Sequence, residues 1–234
     1  MRTPTKRFLA AAVLALALTR GLPASDKDVI PPQLPKDQQE NLLRFLQQHD
    51  KPDRYIPDGA KIVDTPPPNA GGNPETPPAR PVKQYTVSVV AHRPVPDQAE
   101  VKRADVYYYR PNPEKGKPGI TVRYTVDLTN GQAVGQPEVL FNHHTPVSRE
   151  ELEEAVALAR EKSPAVQELY KGREANAVRW EYLQLFVSRK HEAHEPGDRV
   201  VRFVFTAPAA EGQAPPAPAR VVVNLTKGVV ADER

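Results

Sequence analysis

One phrase occurs twice in this chain, and that constrains its fold more than any other feature. "TVDLTNGQAVG" at 125–135 returns, altered, as "VVNLTKGVVAD" at 222–232. Asp127 and Asn224 are 224 − 127 = 97 residues apart, and the same offset lays "WEYLQLFVSRK" (180–190) on "KQYTVSVVAHR" (83–93), Tyr182 falling on Tyr85. It also lays "RVVRFVFTAP" (199–208) on "KRADVYYYRP" (102–111) with no gap. A chain that repeats three segments in order is expected to hold two copies of one structural unit.

Each segment is rich in valine, threonine and aromatic residues and alternates apolar with polar positions, the period of a half-buried strand. Trp180, Tyr182, Gln184 and Phe186 fall on one face and Leu183, Leu185 and Val187 on the other, so this strand is expected to be covered on both sides. Asn130-Gly131 and Lys227-Gly228 supply turns that tolerate positive φ. A helix precedes each triplet of strands. In the second copy Ser148 is the expected N-cap, with Glu151 completing a capping box and Val147 with Leu152 forming a hydrophobic staple. Leu152, Ala155, Val156 and Ala159 make its apolar stripe, and Pro164 should interrupt the helix before "AVQELYKG" adds a turn or two. In the first copy Asp37 and Glu40 form a weaker box, and Leu42, Leu43, Phe45 and Leu46 form the buried side. The offset breaks here: 148 − 97 = 51, whereas the first box opens at 37. The intervening insertion is a proline-rich segment, 57–81, expected to be an extended linker or disordered loop. The expected fold class is α+β, each copy packing a helix on an antiparallel sheet of three to four strands.

The first 24 residues stand apart. Arg2, Lys6 and Arg7 precede an apolar run from Phe8 to Leu18, and small residues follow at Gly21, Ala24 and Ser25, the pattern of a secretory signal peptide. The run is shorter than the roughly 20 residues a membrane span needs, although Arg20 just after it raises the alternative of an uncleaved anchor. The expected organisation is a signal peptide over 1–24, a first unit over 25–142 and a second over 143–234. The expected location is the periplasm or exterior, with membrane attachment only if the leader stays. The formal charge of +3 does not point to nucleic acid, because Arg2, Lys6, Arg7 and Arg20 lie in the leader and leave 3 − 4 = −1 on the remainder. No cysteine is present, so neither a disulfide framework nor a thiolate metal site is available.

The strand "KRADVYYYRP" followed by "YTVDLTNGQAV" resembles the second N-terminal domain of copper amine oxidases. "PVSREELEEAVALAREKSPAVQELYKGRE" resembles the opening of their third N-terminal domain, with Lys171-Gly172-Arg173 a partial match to its basic turn. The resemblance spans roughly 33–231 and implies tandem cystatin-like domains; PepSY-type domains share the "VD-x-x-x-G-x-V" strand. Copper and topaquinone enter only by that association. In the family they belong to a separate catalytic domain marked by Asn-Tyr-Asp/Glu and His-x-His motifs, and neither motif occurs in this sequence. The expectation is therefore a non-enzyme with no resident cofactor.

Four histidines are the candidate metal ligands. His191 and His194 in "HEAHE" are three residues apart where a zincin helix needs four, and "EPGD" after them signals a hairpin turn. His143 and His144 are adjacent in the connection between the copies, where neighbouring side chains diverge. Solvated turns are the simpler reading of both pairs. His49 and His92 have no evident partner in the sequence. In "VYYYRP" Tyr107 and Tyr109 should face one way and Tyr108 the other, so at least one is expected in a core. Glu150, Glu151, Glu153 and Glu154 read as the solvated face of a helix, favourable at its positive end. Asn224-Leu225-Thr226 matches a glycosylation sequon but falls in an expected strand and turn. Three functions fit: an exported module acting through protein contacts, including self-association; an accessory part of a split or degenerate amine oxidase, with a separate catalytic subunit as partner; and a PepSY-like inhibitor or chaperone of an exported hydrolase.

Overall fold

The computed structural model describes residues 30–64, 82–93, 101–141, 143, 145–187, 194–209 and 214–233. Its first half begins with helix α1 (Lys36–Gln48) and builds a six-stranded sheet from β1 (Lys61–Ile62), β2 (Tyr85–Ala91), β3 (Arg103–Arg110), β4 (Ile120–Asp127), β5 (Gln132–Ala133) and β6 (Glu138–Leu140). The strand order is β1-β6-β4-β3-β2, with β5 also on β4. The second half begins with α2 (Arg149–Lys162) and α3 (Pro164–Tyr170). It continues through β7 (Arg179–Phe186), β8 (Arg199–Thr206), β9 (Ala219–Asn224) and β10 (Val229–Glu233) in the order β10-β9-β8-β7. The protein is thus a mixed α+β structure with two sheets. The first sheet exceeds the expected three to four strands because the short β5 and β6 both pair with β4, and Lys61–Ile62, inside the proline-rich segment, pairs in parallel with Glu138 and Val139 of β6. The rest of that segment, 65–81, lies outside the described residues, as do the leader, His144 and His191.

The duplication is visible in hydrogen-bond register. Subtracting 97 from the β8–β9 pair Val200↔Asn224 gives Arg103↔Asp127, which is itself a β3–β4 pair. The same subtraction turns Asn224↔Val229 into Asp127↔Gln132. It also turns the bond from Leu225 N–H to the Arg199 carbonyl (2.8 Å) into the one from Leu128 N–H to the Lys102 carbonyl (2.9 Å). The first strand of each triplet departs from this rule. Tyr182 pairs with Phe203, but Tyr85 pairs with Tyr109 and not with Val106, and a bulge between Thr86 and Ser88 shifts β2 further. Val89, not Tyr85, occupies the place equivalent to Tyr182, so the ungapped alignment of this strand is corrected by about four residues.

Local signals explain the helices. Ser148 N–H donates to Glu151 Oε2 at 2.8 Å and Glu151 N–H to Ser148 Oγ at 3.2 Å, closing the expected capping box. Ser163 ends α2 and caps α3 by accepting from Val166 N–H, with Pro164 at the first helical position, where it sacrifices no hydrogen bond. The box expected at Asp37 does not form. α1 starts two residues earlier, with Pro35 as an N-cap that makes no side-chain bond, and Asp37 lies within the first turn. Leu42, Phe45 and Leu46 are buried against Ala104, Val106, Tyr108, Tyr124 and Leu128, while Leu152, Ala155 and Ala159 are buried against Val201, Phe203, Val221 and Val223. Gly131 (φ 71°) closes the β4–β5 turn so near α1 that a Cβ there would stand 2.6 Å from the Asn41 carbonyl. Asn41 donates to the Leu128 and Thr129 carbonyls, fastening helix to turn.

The equivalent leucines differ in depth. Leu128 is fully buried, whereas Leu225 only borders its core. Leu128→Ala should cost about 2 to 5 kcal/mol and Leu225→Ala on the order of 1 kcal/mol. Glu153→Ala should stay within about 0.5 kcal/mol. Urea unfolding of the three variants tests this ranking, and equal losses at both leucines would contradict the difference in burial.

Candidate functional site

The two halves meet at a polar joint that the sequence pattern does not advertise. Arg199, at the start of β8, projects toward α2. Its Nε donates to Glu151 Oε1 at 2.6 Å and its Nη2 to Glu151 Oε2 at 2.7 Å. The remaining donor capacity goes to the Thr145 carbonyl, the Thr145 hydroxyl and the Pro146 carbonyl. The guanidinium lies 4.2 Å from the ring centroid of Tyr109 on β3 of the other sheet. Arg199 is 6% exposed and Glu151 2%, so the charges are desolvated and the pair depends on complete hydrogen bonding. Glu151 therefore does not belong to the solvated helix face. Glu154 stays partly solvated but reaches the first sheet: Tyr85 Oη donates to it at 2.9 Å, and Lys83 forms an ion pair with it.

Tyr107 and Tyr109 turn to this side of the first sheet and Tyr108 to its core, the alternation expected of a strand. Burial pushes the Tyr109 phenol up to about 12, Arg199 and hydrogen bonds from Gly119 and Thr226 opposing the shift. Tyr85 is raised as well, by burial first and then by Glu154. A Cβ at Gly119 would stand 2.5 Å from the Tyr109 hydroxyl, so the close approach requires glycine there.

Of the candidate metal ligands His143 and His194 lie among the described residues, and each is engaged elsewhere. His194 opens a turn in which Glu195 N–H donates to Asp198 Oδ2 and Gly197 takes φ 88°. Its Nδ1 lies 3.2 Å from Asn224 Nδ2, and Lys227 pairs with Asp198 at 3.2 Å. His143 stacks on Tyr107, with ring centroids 5.6 Å apart. His92 has a partner after all, Asp105 at 3.1 Å, and His49 stacks on Phe45. Among the described residues no group of three His, Asp or Glu side chains is placed to hold a metal ion. Asn224 is fully buried and donates to Asp198 Oδ2 at 2.7 Å, so in the folded chain its amide is not presented for glycosylation. An open groove beside α2 and α3 is lined by Arg160, Glu161, Gln167, Glu168 and Lys171, with Arg160 over the Tyr170 ring; it gathers no nucleophile with a base.

The surface with the most unusual chemistry is β7. It forms one edge of its sheet, and no strand among the described residues pairs with its outer side. Cross-strand register puts Trp180, Tyr182, Gln184 and Phe186 on the helix side and Leu183 and Leu185 on the other. On the helix side Tyr182 is 45% and Phe186 61% exposed, and on the opposite face Leu183 is 58% exposed. This overturns the expectation of a strand covered on both faces: apolarity on both sides belongs to an edge. Gln184 anchors the strand to the joint, donating to the Thr145 carbonyl and accepting from Val147 N–H. The other edges are protected. β1 is two residues long, β2 is bulged and its Tyr85 is covered by Glu154, and β10 carries Asp232 and Glu233, engaged by Ser163 and Arg202.

The signal that could have located this edge is strand order, since Trp180–Phe186 opens its triplet and the following strand pairs with only one of its sides. Arg199 offered less. It aligns with Lys102, a basic residue at the head of a strand, and nothing in that alignment names Glu151 as its partner. No protein-family model matches the chain, and no curated protein matches it.

Glu151→Leu should cost about 3 to 5 kcal/mol by leaving Arg199 buried without its carboxylate, and adding Arg199→Met should restore much of that loss. Denaturant unfolding of the single and double variants checks the pattern; additive losses would contradict it. A pH effect follows from Tyr109. Between pH 10 and about pH 12 the unfolded chain loses a phenolic proton that the folded chain retains, so stability falls as pH rises through this window. Tyr85 and Tyr55, also raised by burial, act in the same direction, so Tyr109→Phe should lessen that slope by one group's share in urea titrations run from pH 9 to 11.5.

Proposed function

We propose that this protein is an exported, non-catalytic module of two cystatin-like domains, similar to the second and third N-terminal domains of copper amine oxidases, that acts through protein contacts. One observation carries the reading: no strand among the described residues pairs with the outer side of β7, and its Tyr182, Leu183 and Phe186 are 45%, 58% and 61% exposed. A monomer gains nothing from that arrangement, since exposed regular edges invite pairing with another chain. The buried joint at Arg199 supports it, because Gln184 and the 145–147 connection hold the edge on a rigid frame. Glu151 is taken up by Arg199 and the Ser148 capping box, and Glu154 by Tyr85 and Lys83, an arrangement suited to structure more than to proton transfer.

Two measurements test the proposal. Protein incubated with copper should release no hydrogen peroxide from primary amines and give no quinone stain; turnover above a copper blank would overturn the non-enzyme reading. A photoreactive phenylalanine analogue at Phe186 should form adducts in the producing cell's exported fraction, with the same analogue at exposed Glu174 as control. Absence of adducts specific to position 186 would overturn the assignment of contacts to β7.

A further inference from the structure

We infer that the occupant of the β7 edge is a second copy of the same strand, paired antiparallel about Leu183. This rests on the reading of β7 as a contact surface and adds the partner and the register. Antiparallel self-pairing around a two-fold axis places one residue opposite itself, with side chains opposite one another on the same face of the joined sheet. The charges within the strand, Arg179 and Glu181, rank the axes. Centring on Glu181 opposes two carboxylates directly. Centring on Tyr182 leaves them diagonal neighbours, roughly 7 to 8 Å apart by backbone spacing. Centring on Trp180 would pair Arg179 with Glu181, but it leaves Leu183 and Phe186 outside the strand overlap.

The axis at Leu183 avoids all three faults. Residues 180–186 overlap, Glu181 lies opposite Leu185, and the two Glu181 carboxylates are separated by about four residue steps, roughly 13 Å. On the helix side Trp180 meets Phe186 and Tyr182 meets Gln184; on the other side Leu183 meets its symmetry mate. The side chains covered are those most exposed in the single chain, Leu183 at 58% and Phe186 at 61%. The two four-stranded sheets become one of eight strands, and β7 moves from edge to interior.

The overlap is about 24 Å long, and a single strand edge buries less than the roughly 800 Å² per partner of a standard interface. The dimer is therefore reversible, forming at on the order of tens of micromolar and dissociating on dilution.

The absence of cysteine from the sequence allows a clean test. Purified full-length protein is run by sedimentation velocity from low micromolar to millimolar concentration. Leu183→Cys and Glu181→Cys are oxidised in parallel, and Leu183→Lys is tested for assembly alongside its thermal melt. The expected results are a concentration-dependent dimer, disulfide-linked dimer from Leu183→Cys at least about 10-fold faster than from Glu181→Cys, and a monomeric Leu183→Lys with an unchanged melt. A monomer at every concentration overturns self-pairing. If photoadducts from position 186 then contain a different protein, the contact reading stands and only the partner is wrong; if position 186 gives no adducts, both fall. A dimer that persists in Leu183→Lys, or that cross-links equally well from position 181, assembles through another face and also overturns the proposal. Should Leu183→Lys melt early, the comparison of the two cysteine variants decides alone.

Discussion

The fold turns on the Arg199–Glu151 pair. A guanidinium and a carboxylate removed from water stabilise a structure only if every donor and acceptor is satisfied, and here the satisfaction draws together four pieces of chain. Glu151 comes from α2 and Arg199 from β8; Thr145 and Pro146 come from the connection between the halves, and Tyr109 from the first sheet. Glu151 serves twice, since one oxygen also closes the capping box at Ser148. The start of α2, the head of β8 and the approach of the first sheet are thereby fixed by one side chain.

That joint also explains why the halves are not interchangeable. In the first half the outer aromatic surface at Tyr85 and Tyr109 is covered by Glu154 and Arg199 from the second. No later element among the described residues performs this service for the second half, and β7 is left at the margin with Tyr182, Leu183 and Phe186 in water. A duplicated unit carries its apolar pattern into both copies, but only a copy with a neighbour can bury the whole of it.

Much of the architecture was legible because it rests on local chemistry. Alternating valines and aromatics marked the strands, Ser148 with Glu151 marked the start of α2, Pro164 divided α2 from α3, and the offset of 97 recovered the pairing of β3 with β4 and β8 with β9. Where the reading failed, a non-local term decided. Asp37 lost its capping role because the chain enters α1 through Pro35. The shift of β2 against β3 is about four residues, to which a bulge at Val87 contributes one, and an ungapped alignment has no means of registering it. Part of the proline-rich segment is ordered because Lys61 and Ile62 find an open edge at β6.

The sequence by itself determined that the chain repeats an α+β pattern, where α2 begins and divides from α3, and which stretches form the three main strands of each half, because periodicity, capping and turn chemistry act over a few residues. Only the tertiary structure decided which charges are buried and which apolar residues are left in water. Glu151 and Glu153 share one acidic run, yet one is buried against Arg199 and the other is exposed; Phe186 and Phe203 lie in similar apolar runs, yet one is in water and the other in the core. The physical reason is that desolvation depends on what packs over a residue from distant parts of the chain, and a strand's own alternation is the same whether a neighbour covers it or not.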